Sequence, residues 1–230
     1  MRKYVLMAVM QLMLGGSCMY LCDAGGCTGN ICGFDEPRWF EMKSAIFSAG
    51  LRDMDAILGR DDMMTKKIVD VCQKMDATFI ALVGTVVPAT IGTDLKAIAK
   101  LLEKDTNIKV LSFDSNGVRL YDDGVSKAYL SLIKKFADDS LSKKENLIGV
   151  LGASPLDMIS KNEYKHIKNR LKSKEENDYL IYGMSENDNP LYEIKNALSV
   201  QKNIVISPSG LDAAKYMKKQ YDIEYECRYP

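Results

Sequence analysis

Residues 77–84 read ATFIALVG, a nearly unbroken apolar run. A short run of this kind is typical of a strand whose two faces are both buried, as in the middle of a parallel sheet. The preceding segment, residues 61–75, repeats apolar side chains at helical spacing, and residues 88–104 read as a loop that leads into another helix. A buried strand between two helices predicts an α/β fold.

The same alternation of strand and helix extends along the chain in both directions. Strands are predicted at 18–21, 54–59, 77–84, 108–114, 147–152, 178–183, 203–208 and 223–227. Helices are predicted at 5–14, 38–50, 61–75, 88–104, 124–139, 161–173, 191–198 and 209–221. This order predicts two Rossmann-like units, each with a doubly wound parallel sheet. The polar run at 138–146 reads as a linker, so we expect a first domain over residues 1–140, with a cysteine-rich loop, and a second over residues 141–230.

Opposite charges balance along the chain, with 31 basic and 31 acidic residues and a formal net charge of zero. That balance gives no general attraction to nucleic acid or to an anionic membrane, so we expect neither as a partner. Hydrophobic residues make up 47% of the chain, which is enough for a buried core. No run approaches the roughly 20 apolar residues that a membrane-spanning helix needs.

The N-terminal sequence, MRKYVLMAVMQLMLGGSC, allows two interpretations. Basic residues, an apolar stretch and small residues before a cysteine resemble a secretory or lipoprotein signal. The alternative is a buried helix from Val5 to Leu14, followed by the strand at 18–21. We favour the helix because Gln11 interrupts the apolar run. We therefore expect a cytoplasmic protein whose cysteines are reduced, metal-bound or buried.

Apolar side chains nearly encircle the predicted N-terminal helix, which is rich in methionine. One face of a single domain covers such a helix poorly. We expect a second chain to cover it, so the sequence predicts a homo- or hetero-oligomer that assembles through the N-terminal region. The alternative is a monomer that buries the helix within its own first domain.

Four cysteines lie close together near the start of the chain: Cys18, Cys22, Cys27 and Cys32. Three of them lie in or beside a glycine-rich loop, where the backbone bends easily around an inorganic group. Cysteine thiolates hold iron–sulfur clusters, so this loop is a candidate cluster site, with zinc as a competitor. The spacing matches no ferredoxin pattern, and the alternative remains that Cys18 fills a strand and Cys32 packs in the interior.

The remaining chemistry-bearing residues argue against hydrolysis. His166 is the only histidine, and it lies among lysines on a predicted helix that reads as a solvated face. Without it no Ser-His-Asp triad can form, and the chain holds no Gly-Lys-Ser/Thr phosphate loop. Cys72 lies on the apolar stripe of a helix and is predicted to be core, while Cys227 reads as incidental. The loops at 84–95 and 114–124 follow predicted strands at the edge where open α/β sheets bind ligands.

The order of motifs resembles the nitrogenase component 1 family. That family includes molybdenum–iron protein subunits, their cofactor-assembly scaffolds and the dark-operative protochlorophyllide and related tetrapyrrole reductases. The motifs are GGC at 25–27, AIFSAGLRDMDAILGRDD at 45–62, VGTVVPATIGTDLKAI at 83–98 and DSNGVRLYDDG at 114–124. IGVLGASPLD at 148–157 and NIVISPSGLDAAKYM at 203–217 are similar to the family's second Rossmann-like domain. The chain ends where a third domain would follow, so we expect a short form or one piece of a split protein.

The resemblance implies a set of cluster ligands. In such family members three cysteines per subunit help to hold an iron–sulfur cluster at a subunit interface. The central cysteine falls on Cys27, the third falls on Val87, and the upstream one falls near Met1, where this chain begins. A family histidine position falls on Cys22. Cys18, Cys22 and Cys32 are extra sulfurs that could substitute, and we expect Cys22, Cys27 and Cys32 to hold a cluster of the [4Fe-4S] type.

The resemblance also implies a function, that of an oxidoreductase subunit. An ATP-dependent iron protein would supply electrons, and a small molecule or tetrapyrrole would be reduced. The alternative is a non-catalytic scaffold that binds a metallocluster or cofactor on the same fold. The absence of two family cysteines and of a third domain favours that alternative, because a fold alone does not determine a function.

Overall fold

The computed structural model describes residues 17–25, 45–59, 61–72, 74, 77–116, 118–153, 162–171, 177–183 and 191–228. By its contacts the chain divides into two compact units, Met1–Leu120 and Tyr121–Pro230. The predicted N-terminal helix at 5–14, Cys27 and Cys32 lie outside the described residues. No helix in the described part of the chain is both long enough and apolar enough to cross a bilayer.

The first unit is built around a parallel four-stranded sheet. Its elements are β1 (Ser17–Cys22), β2 (Ala45–Ser48), α1 (Asp53–Leu58), α2 (Asp61–Cys72), β3 (Phe79–Gly84), α3 (Val86–Ile91), α4 (Leu95–Thr106) and β4 (Val110–Phe113). The strand order is β2-β1-β3-β4, and every neighbouring pair is parallel. The chain therefore first moves to one side of β1 and then to the other, which is the order of a doubly wound sheet. The predicted α/β class with parallel sheets is confirmed.

Three short segments of this unit differ from the elements that the sequence predicts, and one of them is α3, which lies where the sequence predicts a loop. The segment 45–48 is a strand rather than the end of a helix, because it pairs with β1 in register from Cys18↔Ala45 to Leu21↔Ser48. The segment 54–59 lies in a helix rather than a strand. The main-chain N–H of Arg52 donates to Asp55 at 3.0 Å to start this helix, and Gly59 ends it in the left-handed conformation with φ 60°.

The second unit repeats the same sheet topology. Its elements are α5 (Tyr121–Phe136), β5 (Leu147–Leu151), α6 (Asn162–Leu171), β6 (Asp178–Ile181), α7 (Tyr192–Lys195), β7 (Lys202–Val205), α8 (Leu211–Tyr221) and β8 (Glu224–Cys227), with short 3₁₀ turns at Ala197–Ser199 and Pro208–Gly210. The order β6-β5-β7-β8 is again parallel throughout.

Helix α5 packs within the second unit. The Ser126 hydroxyl donates to Asp212 on α8 at 2.8 Å. The buried Tyr129 hydroxyl lies 3.1 Å from the carbonyl of Ala153 and 3.0 Å from that of Tyr182, so one side chain bridges the ends of β5 and β6. The contacts thus divide the chain before this helix, whereas the predicted domain boundary at residue 140 falls after it.

Each sheet carries its own apolar core. In the first unit, buried side chains of α2 and α4 pack with those of the sheet, and Cys72 is among them, as predicted. In the second unit the core cluster contains Ile148, Val150, Ile181 and Ile204. His166 is exposed on α6, which agrees with its prediction as part of a solvated face.

Candidate functional site

The carboxyl edge of the first sheet contains the crevice that a doubly wound fold offers to a ligand. The chain leaves β1 toward β2 and leaves β3 toward β4, so the loops after β1 and β3 diverge between these two neighbouring strands. Ligands of open α/β sheets bind at such a switch point. Cys22 is the last residue of β1, and Thr85 follows the last residue of β3.

Hydrogen bonds fix the chain where it leaves β1. The Thr85 hydroxyl donates to the carbonyl of Cys22 at 3.1 Å, and the main-chain N–H of Leu51 donates to the carbonyl of Asp23 at 2.9 Å. The main-chain N–H of Gly25 donates to the Asp23 carboxylate at 2.7 Å, and Gly25 has φ 100°, a value that favours glycine. The segment that leads to Cys27 therefore starts from a backbone tied to both neighbouring strand ends.

The Cys22 thiol is part of the core of this unit. Its side chain is fully buried, and its Sγ lies 3.7 Å from the Sδ of Met64 on α2. Burial, followed by the nearby carboxylates of Asp61 and Asp23, raises the pKa of the Cys22 thiol to about 12. A cysteine binds a metal as the thiolate, so a cation at this position has to displace the thiol proton.

A cavity of about 160 Å³ opens beside this thiol. Its lining comes from the end of β1, the segment after β2, helices α1 to α3 and the turn before α4: Cys22, Ala49, Leu51, Asp55, Ala56, Gly59, Asp61, Met63, Met64, Lys67, Pro88, Ile91, Gly92 and Thr93. Burial, followed by the charges of Asp62 and Asp94, raises the pKa of the Asp61 carboxyl group, so the surroundings of this wall residue disfavour its ionised form. A cavity of this size holds one side chain or a small molecule, whereas drug-sized ligands occupy about 300–1,000 Å³.

The described residues supply one thiol of the predicted cluster set. Cys22 is a soft donor at the carboxyl edge of the sheet, as predicted for a ligand-binding position, but its sulfur faces Met64. Val87, where the resemblance expects a third cysteine, is half-buried in α3 and offers no donor atom. Among the residues that the structure describes, no three His, Cys, Asp or Glu side chains come together in a metal-binding arrangement. The other two members of the predicted set, Cys27 and Cys32, lie outside the described residues.

Helices α1 to α3, which contribute residues to the lining of the cavity, also carry a set of exposed apolar side chains that the sequence did not predict. We call it the apolar rim; its six side chains are Met54, Ile57 and Leu58 on α1, Met63 on α2, and Val86 and Ile91 on α3. Ile57 is 75% exposed, and α1 buries none of its residues. The spacing of Met54, Ile57 and Leu58 is that of one helix face, a signal hidden by the prediction of a strand at 54–59.

The sequence family described as nitrogenase component 1 type oxidoreductase matches residues 17–228 of the chain. Among curated proteins, the nitrogenase iron-molybdenum cofactor biosynthesis protein NifE of Clostridium pasteurianum is 27% identical over 181 residues. That match covers 78% of this chain and 38% of the NifE protein.

Solved structures of nitrogenase Cp1 share the fold. The structure at pH 6.5 has a TM-score of 0.77 and 18% sequence identity, over 99% of this chain and 45% of the matched chain. The structure at pH 5 has a TM-score of 0.76 and 18% identity, over 98% of this chain and 46% of the matched chain. The chain thus spans less than half the length of each of these proteins.

Proposed function

Because the chain belongs to the nitrogenase component 1 type oxidoreductase family, we propose that it is an oxidoreductase subunit that holds an iron–sulfur cluster. In this proposal an ATP-dependent iron protein supplies electrons, and a bound small molecule or tetrapyrrole is reduced. One observation carries the proposal: the cysteine-bearing segment leaves β1 at the switch point of the first sheet, where this fold binds ligands. We assign the reaction to the cytoplasm, where thiols stay reduced.

Cys27 and Cys32, with Cys22 as the third candidate, supply the thiolates in this proposal. The cluster itself would supply one-electron redox chemistry, and the protein would tune it through ligation, hydrogen bonds and burial. Cys22 acts as a ligand only if its thiol loses its proton and turns away from Met64, because burial and two carboxylates favour the protonated form. Thiolates are the ordinary ligands of iron–sulfur clusters, and we propose the [4Fe-4S] type because the resemblance to the family implies it.

The apolar rim supports docking of the iron protein on the first unit. Six exposed apolar side chains on the helices that contribute to one cavity are the kind of feature that a partner protein covers. The cavity has room for one anchoring side chain of the partner, and an interface commonly depends on a few such anchors. Assembly of two chains through the N-terminal region remains a separate prediction, because residues 1–16 lie outside the described part of the chain.

Anaerobic purification tests the proposal directly. We expect iron and acid-labile sulfide in the protein and broad absorbance in the visible range. Reduced iron protein with MgATP should then bleach this absorbance, while the same mixture with MgADP should leave it unchanged. A colourless protein without iron after reconstitution with iron and sulfide would show that the proposed function is wrong.

The similarity to NifE favours a second candidate function. NifE is named for the biosynthesis of an iron-molybdenum cofactor, and the chain shares 27% of its residues over the matched region. A scaffold of this kind would bind a metallocluster and release it to an acceptor protein. The two functions separate in one experiment, in which the loaded protein is mixed with a cluster-free acceptor. Transfer of iron to the acceptor without reduction of a substrate supports the scaffold, and retention of iron with bleaching by the iron protein supports the oxidoreductase.

A further inference from the structure

The cavity beside β1 has an apolar interior. Its buried lining residues carry no charged group: Cys22, Ala49, Met64 and Pro88. A buried thiol packs as a small apolar group, so these side chains offer a surface for a hydrocarbon group. An apolar cavity of about 150 Å³ is enough to bind benzene, and this cavity has about 160 Å³. The apolar body of a matching ligand therefore has about six non-hydrogen atoms.

Charged side chains line the solvent-exposed part of the same cavity. Asp61 and Lys67 are exposed members of the lining, and Asp55 is half-buried, so the lining contains two carboxyl groups and one ammonium group. Burial, followed by the charges of Asp62 and Asp94, raises the pKa of the Asp61 carboxyl group, and a cation beside it would oppose that shift. A ligand with a positive charge at its outer end therefore fits the cavity better than a neutral or an anionic one.

We propose that this cavity is a binding site for a small primary amine with an apolar body, whose body contacts the buried lining and whose ammonium group lies near Asp55 and Asp61. A free amine fits better than a lysine side chain of a partner, because lysine carries its charge at the tip and would bring that charge first into the apolar interior. The inference goes beyond the proposed function and requires no bound cluster. The amine and an anchoring side chain of a docked partner would exclude each other from the cavity.

Three probes that share a phenyl ring separate the effect of charge from that of the apolar body. Benzylamine is a cation at neutral pH, benzyl alcohol is uncharged, and phenylacetate is an anion. NMR titration of the full chain at low ionic strength measures the affinity for each probe and shows which main-chain N–H groups shift. We expect benzylamine to bind about threefold more tightly than benzyl alcohol, because partly exposed charge pairs are weak and screened by salt. Phenylacetate should bind most weakly.

Three variants locate the bound amine. Ala56 is a half-buried lining residue on α1, so Ala56→Leu should fill part of the cavity and prevent saturable binding of all three probes. Asp61→Asn should reduce the affinity for benzylamine to that for benzyl alcohol, because it removes the carboxylate and keeps the size of the side chain. Asp105→Asn is the matched control, since Asp105 is exposed on α4 and is not part of the lining. It should keep the affinity of the parent chain.

Equal affinity for the three probes, or equal loss of affinity in Asp61→Asn and Asp105→Asn, would overturn the inference, because the site would then not recognise a positive charge. No binding of benzylamine, or binding that Ala56→Leu leaves unchanged, would overturn it as well. If Ala56→Leu does not fold, the N–H groups of the parent chain decide: shifts at Gly92 and Thr93 support the site, and shifts confined to residues outside the lining contradict it. The iron content of the same preparations tests the proposed function separately.

Discussion

The two units share one strand order, yet their carboxyl edges differ. In the first unit, a cavity of about 160 Å³ lies beside β1, and the helices α1 to α3 that help to line it carry the apolar rim. In the second unit, the ends of β5 and β7 are packed against each other. The Ser207 hydroxyl donates to the carbonyl of Gly152 at 2.9 Å, and a Cβ added at Gly210 would lie 2.8 Å from the carbonyl carbon of Leu151.

The difference shows that strand order alone determines where the switch point lies. The residues that follow the strands determine whether a cavity is present there. Asp23 and Gly25 form a turn at the end of β1, and a cavity lies beside Cys22. The loops after β5 and β7 contact each other at Gly152 and Ser207. This contact depends on the absence of a side chain at Gly152. The first edge is therefore the better candidate for a functional site.

The largest expected effect is the loss of iron binding, which should follow a substitution in the cysteine segment and not one in the core. Cys27→Ala should abolish iron binding, because we propose this residue as a cluster ligand. Cys72→Ala should keep the iron and lower the free energy of unfolding by about 1–2 kcal/mol, since it removes a small buried side chain. Iron per chain after anaerobic reconstitution measures the effect. Equal loss of iron in both variants would contradict the assignment.

Adding a single methyl group where the loops after β5 and β7 are in contact should strongly lower the free energy of unfolding. Gly152 has φ 93°, and an added Cβ would lie 2.8 Å from the main-chain nitrogen of Ser207. We expect Gly152→Ala to lower the free energy of unfolding by about 3 kcal/mol, from backbone strain and overpacking combined.

Gly92→Ala is the control at the open edge. Gly92 has φ 77° with nothing within 4 Å of an added Cβ, so its substitution should cost about 1 kcal/mol from backbone strain alone. Urea denaturation of both variants gives the two values. Similar losses would mean that packing does not close the second edge.

A charge on the apolar rim should weaken docking without unfolding the protein. Leu58 is 55% exposed, so Leu58→Glu should change the free energy of unfolding by less than about 0.5 kcal/mol. It should slow electron transfer from the iron protein roughly tenfold, because an apolar contact becomes a buried charge. Leu101→Glu, at a similarly exposed position on α4, should leave the rate unchanged. Equal slowing by both variants would show that the rim is not the docking surface.

The smallest expected effect concerns the acidic wall of the cavity. The raised pKa of Asp61 means that the folded state binds its proton more tightly than the unfolded state does, so its ionisation destabilises the fold. Asp61→Asn should therefore raise the free energy of unfolding at neutral pH, by only a few tenths of a kcal/mol because solvent screens this exposed group. The gain should disappear as the pH falls below the ordinary range of an aspartate, which is about 3.9. A gain that persists at low pH would point to a cause other than charge.

Much of the fold follows from local sequence patterns. The apolar run at 77–84 predicts β3, and the apolar spacing at 61–75 predicts α2 with Cys72 in the core, all of which the structure bears out. The segments at 45–48 and 54–59 were predicted wrongly. Each is so short that its own pattern is ambiguous, and pairing with β1 or the turn at Gly59 decides it.

The candidate site was predictable in its location and not in its geometry. The row of cysteines and the loops after the strands point to the carboxyl edge of the first sheet, and that edge holds the cavity. The part of the apolar rim on α1 was not predicted, because the sequence at 54–59 was interpreted as a strand. The turn after β1 depends on hydrogen bonds from Gly25 and Leu51 to Asp23, which no spacing of residue types reveals.

The sequence by itself determined the α/β class and the family, because strand and helix periods and short motifs are properties of neighbouring residues. Only the tertiary structure decided which way Cys22 faces. In the sequence it stands in a row with Cys27 and Cys32, but in the folded chain its sulfur lies 3.7 Å from Met64, 42 positions away. Such a contact forms only when the sheet and α2 pack together, and the burial that results sets both the surroundings of the thiol and its pKa.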